Sequence, residues 1–192
     1  SDKLFVAANN MVGTGKTRFA CVRYGNVVGS RGSVVPFFKK MIAEGADHIP
    51  ITHESMTRFW ITLQQGVDFV LTNFSRMHGG EIFVPKIPSV NIIDLAEAVA
   101  PGVATTVVGI RPGEKLHEQM IGIEDAPFTY EYPEHFKILP AINGWSDTAE
   151  RIKDGTRVAD DFIYASDSNT EWMSNADLAA WIDKNREKIG AI

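Results

Sequence analysis

The chain has 192 residues, of which 44% are hydrophobic and 22% are charged, and its formal net charge is −5. This composition is typical of a folded globular protein, and the acidic balance argues against nucleic acid as a partner, because phosphate backbones are bound by clustered Lys and Arg. The apolar stretches are all shorter than the roughly 20 residues of a membrane span, and the first residues lack a signal-peptide pattern, so we expect a cytoplasmic protein with no membrane partner.

Residue types that bind metals or form disulfides are sparse. Cys21 is the single cysteine and lies in an apolar run, which favours a buried thiol without a role. The five histidines are scattered and do not have the spacing of metal ligands. We therefore expect neither a disulfide nor a bound metal.

The chain opens on a predicted helix, with apolar residues at positions 4, 5, 8 and 11. A largely apolar run over 18–28 follows, and its lack of two-residue alternation is typical of a parallel strand covered on both faces. A doubly wound domain does not usually begin on an unsupported helix. We therefore expect the protein to continue upstream of Ser1.

Helices and strands alternate along the rest of the sequence. Helical spacing of apolar residues predicts helices over 34–42, 63–74, 92–99 and 112–122, and Ser174 with Asp177 predicts the capped start of a last helix. Strands are predicted over 49–52, 81–84, 106–110, 128–132 and 136–139. This alternation favours an α/β fold.

The turn at 13–17 has the sequence GTGKT, which partly matches a phosphate-binding P-loop. Asn10 stands where the first glycine of that motif belongs, and the turn joins a helix to a strand, the reverse of the order that the motif requires. We interpret the segment as an exposed turn.

Polar residues and glycines lie at the carboxyl end of the predicted strand over 18–28. In open α/β sheets ligands bind at this edge. Asn26 within an apolar run needs hydrogen-bond partners, and either a bridge to the backbone or a ligand contact would supply them. The backbone amides that follow could bind a phosphate, although a plain surface turn would have the same sequence.

Two arginines have settings that suit a phosphate-binding guanidinium. Arg58 lies among apolar residues, and Arg111 precedes Pro112 at the predicted start of a helix. A salt bridge to one of the 24 carboxylates is the alternative for each. Glu114 could likewise be only a favourable acidic residue in a first helical turn.

Three segments in this order and spacing resemble the inverting UDP-N-acetylglucosamine 4,6-dehydratases of the extended short-chain dehydrogenase/reductase superfamily, which act in bacterial surface-sugar and flagellin-glycan biosynthesis. They are RYGNVVGSRGSV at 23–34, MTRF at 56–59 and RPGEKLHE at 111–118, and the run YASDSN at 164–169 is also similar. The resemblance implies the carboxyl-terminal part of a Rossmann-like doubly wound parallel sheet plus a smaller α/β substrate-binding domain. It places the Rossmann remnant at 1–35 and the substrate region at 36–192, with a returning helix and strand near 57–85.

The resemblance also implies the reaction. In that family hydride leaves C4 of the sugar to NADP, water departs from C6, and hydride returns to C6 with inversion at C5. A Tyr-x-x-x-Lys pair and a carboxylate transfer the protons, and a Gly-rich turn binds the cofactor. We expect those parts upstream of Ser1, so the 192-residue chain alone is predicted to be inactive.

The residues of this chain take ligand-binding roles by the same resemblance. Tyr24, Gly25 and Val27 would lie near the cofactor. Asn26, Ser33, Val34, Val35 and Phe37 would contact or seat the substrate, Arg58 and Arg111 would clamp its diphosphate, and Glu114 would accept a ribose hydroxyl. The partner is then a UDP-sugar, and the family forms homo-oligomers. A UDP-sugar 4-epimerase or decarboxylase of the same superfamily and a non-catalytic UDP-sugar-binding fragment remain the alternatives.

Overall fold

The computed structural model describes residues 2–12, 15–30, 33–141 and 149–185. Its helices are α1 (Asp2–Val12), α2 (Val34–Ala43), α3 (Leu63–Phe74), α4 (Ile92–Val99), α5 (Ala149–Ile152) and α6 (Asn175–Lys184), with a 3-10 turn at Ala126–Phe128. Its strands are β1 (Cys21–Val22), β2 (Asn26–Val27), β3 (His48–Ile51), β4 (Thr57–Ile61), β5 (Ile82–Pro85), β6 (Ser89–Asn91), β7 (Ala104–Val107), β8 (Gln119–Ile121), β9 (Thr129–Glu131), β10 (His135–Ile138), β11 (Thr156–Arg157) and β12 (Tyr164–Ala165). The predicted α/β class is confirmed.

The chain divides into two compact units. Unit 1 comprises residues 1–24, 64–86 and 119–164, and unit 2 comprises residues 25–63, 87–118 and 165–192. The chain therefore passes from one unit to the other between Tyr24 and Gly25. The domain boundaries predicted from the sequence stay a prediction.

Unit 1 is built on a five-stranded mixed sheet in the order β1-β5-β10-β9-β11. β1 and β5 are parallel, and β5, β10, β9 and β11 pair antiparallel in sequence. The central strands β5 and β10 are buried along their whole length. The apolar core of this unit therefore lies on both faces of these two strands.

A buried ion pair links the start of β5 to α5 within unit 1. Glu81, only 1% exposed, accepts hydrogen bonds from the backbone amides of His78 (3.0 Å) and Gly79 (2.7 Å). Its Oε1 also lies 3.3 Å from the guanidinium of Arg151, which donates to the Gly79 carbonyl as well. The Arg151 contacts join the turn before β5 to α5, and the two amide hydrogen bonds stabilise the turn itself.

An aromatic cluster beside this ion pair encloses His135. The imidazole stacks on Tyr132 with ring centroids 4.6 Å apart, and Phe83 and Phe69 lie 6.2 and 6.3 Å away. Burial, together with the nearby positive charge of Lys137, lowers the pKa of His135 to about 4. Its side chain is therefore neutral in the folded protein.

We expect the folded protein to lose stability as the pH falls from about 6.5 to 4, because the unfolded state then binds a proton at His135 that the folded state does not. The loss attributable to this residue reaches about 3 kcal/mol at the acid end. Urea unfolding of wild type and His135→Phe across this range measures it. As the pH falls, the free energy of unfolding of wild type should decrease relative to that of His135→Phe. A difference between the two free energies that does not change with pH would contradict the assignment.

Unit 2 has two small sheets and an apolar core between helices and strands. β2, β4 and β6 form one sheet, in which β2 and β4 are parallel, and β3 pairs parallel with β7. α6 packs against α4, and Ser174 caps α6 as predicted by accepting from the amide of Asp177 at 3.1 Å. The core of this unit consists of buried side chains at Val35, Phe38, Ile49, Ile51, Met56, Trp60, Val90, Ile92, Leu95, Ala96, Ala100, Leu178 and Ile182.

The predicted single strand over 18–28 is wrong. Two short strands, β1 and β2, occupy its ends and belong to different sheets. None of their residues is fully buried, and Asn26 is exposed. A continuous apolar run therefore did not distinguish one long buried strand from a segment that crosses between two units.

The predicted helix over 112–122 is also wrong. Residues 112–113 form a turn, in which Gly113 has a φ of +82°, and β8 occupies 119–121. A positive φ ends helical geometry and is available to glycine without steric strain. Leu116 lies in a loop, and Met120 and Ile121 lie in β8. Their apolar spacing therefore reflects packing in these elements and not a helix.

Helices α1 and α3 expose the apolar faces that mark them in the sequence. On α1, Leu4 and Met11 are 76% and 89% exposed, while on α3 Leu71 and Phe74 are 64% and 74% exposed. The buried residues on these helices are instead polar or small. Helical periodicity thus predicted both helices correctly but not which face is buried.

The 13–17 turn lies partly outside the described residues, since 13 and 14 are not among them. The part that is described follows α1 and precedes β1, so the segment joins a helix to a strand as predicted. In the ranges that the structure describes, no helix is both long and apolar enough to span a membrane.

Candidate nucleotide-sugar site

Unit 2 contains a cavity of about 390 Å³ lined in part by β2, the start of α2 and β4. Its walls combine aliphatic side chains with a few polar and charged groups. The lining residues are Asn26, Val27, Val28, Ser30, Ser33, Val34, Val35, Thr52, Met56, Arg58, Trp60, Val90, Ile92, Leu95 and Glu114.

Parallel pairing of β2 with β4 places the predicted ligand edge beside the MTRF segment. Asn26 is opposite Trp60 in the register, and the Val28 amide donates to the Ile61 carbonyl at 3.0 Å. Gly25 permits this approach, because a Cβ at position 25 would lie 2.4 Å from Cβ of Phe59. A glycine at this position is therefore a requirement of strand packing.

We expect Gly25→Ala to destabilise unit 2 by about 1–3 kcal/mol, the usual penalty for overpacking a close contact. The added methyl group would meet the Phe59 backbone as well as its side chain. Thermal unfolding of the variant measures the loss. Gly45→Ala is a useful comparison, because its added Cβ meets nothing within 4 Å and its only penalty is a φ of +87°. Equal stability of Gly25→Ala and wild type would contradict the close approach.

Arg58 ties β4 to the segment over 111–118. Its guanidinium donates to the carbonyls of Thr57 (2.7 Å), Leu116 (3.0 Å) and Lys115 (2.8 Å), and Nε lies 3.6 Å from Glu118. Arg58 therefore makes the salt bridge that was the alternative to a phosphate clamp, and it also lines the cavity.

The turn over 111–114 directs Glu114 to the same cavity. The Glu114 amide donates to the Arg111 carbonyl at 3.0 Å, and the carboxylate accepts from the Arg111 amide and from the Thr52 hydroxyl, both at 3.3 Å. Arg111 itself is exposed, and within the described ranges its side chain has no ion-pair partner. The salt-bridge alternative for Arg111 therefore finds no support in these residues.

A buried hydroxyl network holds the far end of this segment. Thr57 Oγ1 lies 2.7 Å from Ser166 Oγ and 2.8 Å from Nδ1 of His117, and Ser166 Oγ accepts from the amide of Glu118 at 2.9 Å. Ser166 is fully buried. No role was predicted for Ser166 from the sequence, although it lies in the 164–169 run that is similar to the dehydratase family.

Seven predicted ligand residues line the cavity together, namely Asn26, Val27, Ser33, Val34, Val35, Arg58 and Glu114. The other predicted residues are not part of its lining: Tyr24 belongs to unit 1, Phe37 is 46% exposed, Gly25 packs on Phe59, and Arg111 is the exposed first residue of the 111–114 turn. The ligand roles of both groups stay predictions. Thr52, Met56, Trp60, Val90, Ile92 and Leu95 were not predicted; all but Thr52 are apolar and have the pattern of core positions.

Two of the three residues predicted to lie near a cofactor, Gly25 and Val27, belong to unit 2. Val27 lines the cavity, and Gly25 brings the backbone close to β4 without a side chain. The sequence contains no G-x-G-x-x-G run, the glycine pattern that binds a dinucleotide pyrophosphate after a strand. Among the described residues, no group of three or more His, Cys, Asp or Glu could hold a metal ion.

Two relatives of known activity are similar to almost the whole chain. The UDP-N-acetylglucosamine 4,6-dehydratase (inverting) of Campylobacter jejuni subsp. jejuni serotype O:2 is 58% identical over 184 residues, which is 93% of this chain and 55% of that protein. The enzyme of the same name from serotype O:23/36 is 53% identical over 189 residues, with the same coverage. The chain thus spans about half the length of these relatives.

A more distant relative has another activity. The UDP-glucose 4-epimerase of Rickettsia massiliae is 37% identical over 141 residues, covering 71% of this chain and 41% of that protein.

Structural similarity agrees with the sequence similarity. The X-ray structure of Pen from Bacillus thuringiensis superposes with a TM-score of 0.83 and 29% identity, over 96% of this chain and 56% of that one, which confirms the predicted Rossmann-like α/β fold. The sequence model of a family described as "Polysaccharide biosynthesis protein" matches residues 1–140. With seven predicted ligand residues in one cavity and this match over most of its length, the chain belongs to the polysaccharide biosynthesis protein family.

Proposed function

We propose that this chain is the substrate-binding part of an enzyme that dehydrates UDP-N-acetylglucosamine at C4 and C6 with inversion at C5. The observation that carries the proposal is the unit 2 cavity, which is lined by polar residues from three separate segments of the chain. These residues are Asn26 and Ser33, then Arg58, then Glu114. The 58% and 53% identity to two inverting dehydratases supports the same activity.

The charged groups of the cavity suit the polar half of a UDP-sugar. Arg58 lines the cavity and is oriented by three carbonyls, so its guanidinium is held in place before a diphosphate binds. Arg111 supplies a second guanidinium from the turn that also carries Glu114. Glu114 would accept a hydrogen bond from a ribose hydroxyl, and its bonds to Thr52 and the Arg111 amide orient it for that contact.

The aliphatic walls suit the remainder of the ligand. Val34 and Val35 at the start of α2, together with Val90 and Leu95, give the cavity aliphatic lining. Asn26 is the first residue of β2 and is exposed, although the sequence pattern suggested that it is buried. Its side-chain amide can therefore form hydrogen bonds with the sugar. A planar base and a sugar ring fit this combination of apolar surface and few polar groups.

NADP is proposed as the cofactor, and when bound it would supply the uptake and return of hydride that the reaction needs. Gly25 and Val27 would contact its nicotinamide end. The pyrophosphate site and the Tyr-x-x-x-Lys pair are proposed to come from a part of the protein outside this chain. A cytoplasmic location and a homo-oligomeric state stay predictions, as does the part in flagellin glycosylation.

Incubation of the full-length protein with UDP-N-acetylglucosamine and NADP, followed by proton NMR of the products, tests the proposal. The expected product is a UDP-linked 4-keto-6-deoxy sugar inverted at C5, with no net consumption of NADP. A UDP-sugar with C4 inverted and its C6 hydroxyl intact would show an epimerase instead, the activity of the Rickettsia relative. Binding of the UDP-sugar without any product would show a binding protein.

A further inference from the structure

One residue that lines the unit 2 cavity, Trp60, carries an unpaired hydrogen-bond donor. The residue lines the cavity, yet it is only 6% exposed. Its indole Nε1 is buried and has no hydrogen-bond partner in the part of the chain that the structure describes. From the sequence alone, Trp60 has the pattern of a core tryptophan within the apolar run 59–61.

Other aromatic donors show what is usual in this protein. The Trp172 indole donates to the Asn169 carbonyl at 2.7 Å, and the Tyr132 hydroxyl donates to the Ile152 carbonyl at 2.6 Å. Buried polar groups are nearly always paired, and an unpaired one in a folded protein calls for a partner. Trp60 therefore differs from Trp172 and Tyr132, because its donor is buried without a hydrogen-bond partner among the described residues.

A second unpaired polar group lies in the wall of the same cavity. Ser33 is the N-cap residue of α2, a position at which a serine side chain normally accepts from the first helical amides. Its hydroxyl makes no such capping bond, and its Oγ is buried and unpaired within the described residues. Two residues that line this cavity thus carry buried polar groups without partners among the described residues, and a polar ligand would supply such partners.

The surroundings of Trp60 define which acceptor it can bind. The indole N–H can only donate, so the ligand group must be an acceptor. Trp60 belongs to the apolar cluster of unit 2 with Met56, Val90 and Leu95, all of which line the cavity. An ionised phosphate oxygen is far more costly to bury against such a wall than a neutral carbonyl oxygen that accepts a hydrogen bond.

We infer that the Trp60 indole N–H binds a carbonyl oxygen of the nucleotide sugar and contributes to specificity for it. This inference rests on the proposed function, since it takes the ligand to be a UDP-N-acetyl sugar. That ligand has two sources of neutral carbonyl groups, namely the uracil ring and the acetamide on the sugar.

Trp60→Phe in the full-length protein removes the N–H and keeps an aromatic ring. Isothermal titration of wild type and variant with UDP-N-acetylglucosamine, UDP-glucose and UDP should show about a tenfold loss of affinity for each ligand that supplies the carbonyl. A loss shared by all three ligands assigns the uracil, and a loss confined to UDP-N-acetylglucosamine assigns the acetamide.

Trp181→Phe is the matched control. Trp181 contacts Trp60 edge to face at 5.3 Å but does not line the cavity. A purely structural Trp60 would behave like this control, with a lower Tm and unchanged affinity for every ligand, and that result would overturn the inference. Failure of wild type to bind any UDP-sugar would instead refute the proposed function.

An isosteric replacement covers the case in which Trp60→Phe does not fold. Incorporation of 3-benzothienyl-alanine at position 60 exchanges the ring N–H for sulfur and nearly preserves the volume. The same pattern of affinity losses is expected from it. Affinities equal to those of wild type for all three ligands would overturn the inference.

Discussion

Arg111→Ala is expected to weaken binding of UDP-N-acetylglucosamine to the full-length protein by about 1.5–3 kcal/mol, the usual worth of a hydrogen bond to a charged group. This corresponds to roughly one to two decades in Kd. The physical reason is that Arg111 is exposed and lacks an ion-pair partner among the described residues, so its guanidinium is available to a diphosphate. Isothermal titration measures the loss.

Two further variants separate a guanidinium clamp from general positive charge. Arg111→Lys keeps the charge but loses the planar fork, so it should recover only part of the affinity. Lys115→Ala removes another exposed cation from the same segment and should change the affinity little. Unchanged affinity of Arg111→Ala together with a lowered Tm would show that this residue is structural.

Glu81→Ala is expected to lower the free energy of unfolding by about 3–5 kcal/mol, the usual cost of removing one partner from a buried ion pair. The variant loses the Arg151 contact at 3.3 Å and leaves the amides of His78 and Gly79 without their acceptor. Urea unfolding of the purified variant measures the change.

Glu134→Ala is the control for this stability measurement, since Glu134 is an exposed carboxylate of the same unit. Its free energy of unfolding should stay close to that of wild type. Glu81→Gln keeps an acceptor for one of the backbone amides, so it should lie between wild type and Glu81→Ala. A Glu81→Ala protein within about 1 kcal/mol of wild type would show that the pair contributes no net stability.

Elements with strong local signals were predicted well. α2 begins near Pro36 and is followed by Gly45 at a φ of +87°, and α6 begins at the Ser174 cap, so both ends follow from short-range chemistry. α4 likewise begins at Asn91, whose side chain accepts from the Ile93 amide at 2.8 Å. Signals of this kind need no knowledge of distant parts of the chain.

Elements defined by distant contacts were not predicted. β4 was not recognised as a strand, because its existence depends on pairing with β2 and β6, which are remote in sequence. The apolar stripes of α1 and α3 predicted helices but also suggested burial that the structure does not show. Periodicity reports the pattern of side chains along one segment and not what covers them.

The candidate site was predicted in part. Motifs at 23–34, 56–59 and 111–118 identified Asn26, Arg58 and Glu114, which the fold brings to one cavity. The Thr57–Ser166 hydroxyl contact and the unpaired Trp60 indole were missed. A buried serine and a core tryptophan give no distinct pattern in a single sequence, because their significance depends on the neighbours that folding supplies.

The central claim is that the unit 2 cavity binds the UDP-sugar. A crystal structure of the full-length protein with UDP-N-acetylglucosamine tests this most directly. We expect density for the nucleotide sugar in the cavity, with its diphosphate in hydrogen-bond contact with the guanidinium groups of Arg58 and Arg111 and a ribose hydroxyl at the Glu114 carboxylate. Density for the ligand away from Asn26, Arg58 and Glu114, with the cavity filled by water, would contradict the claim.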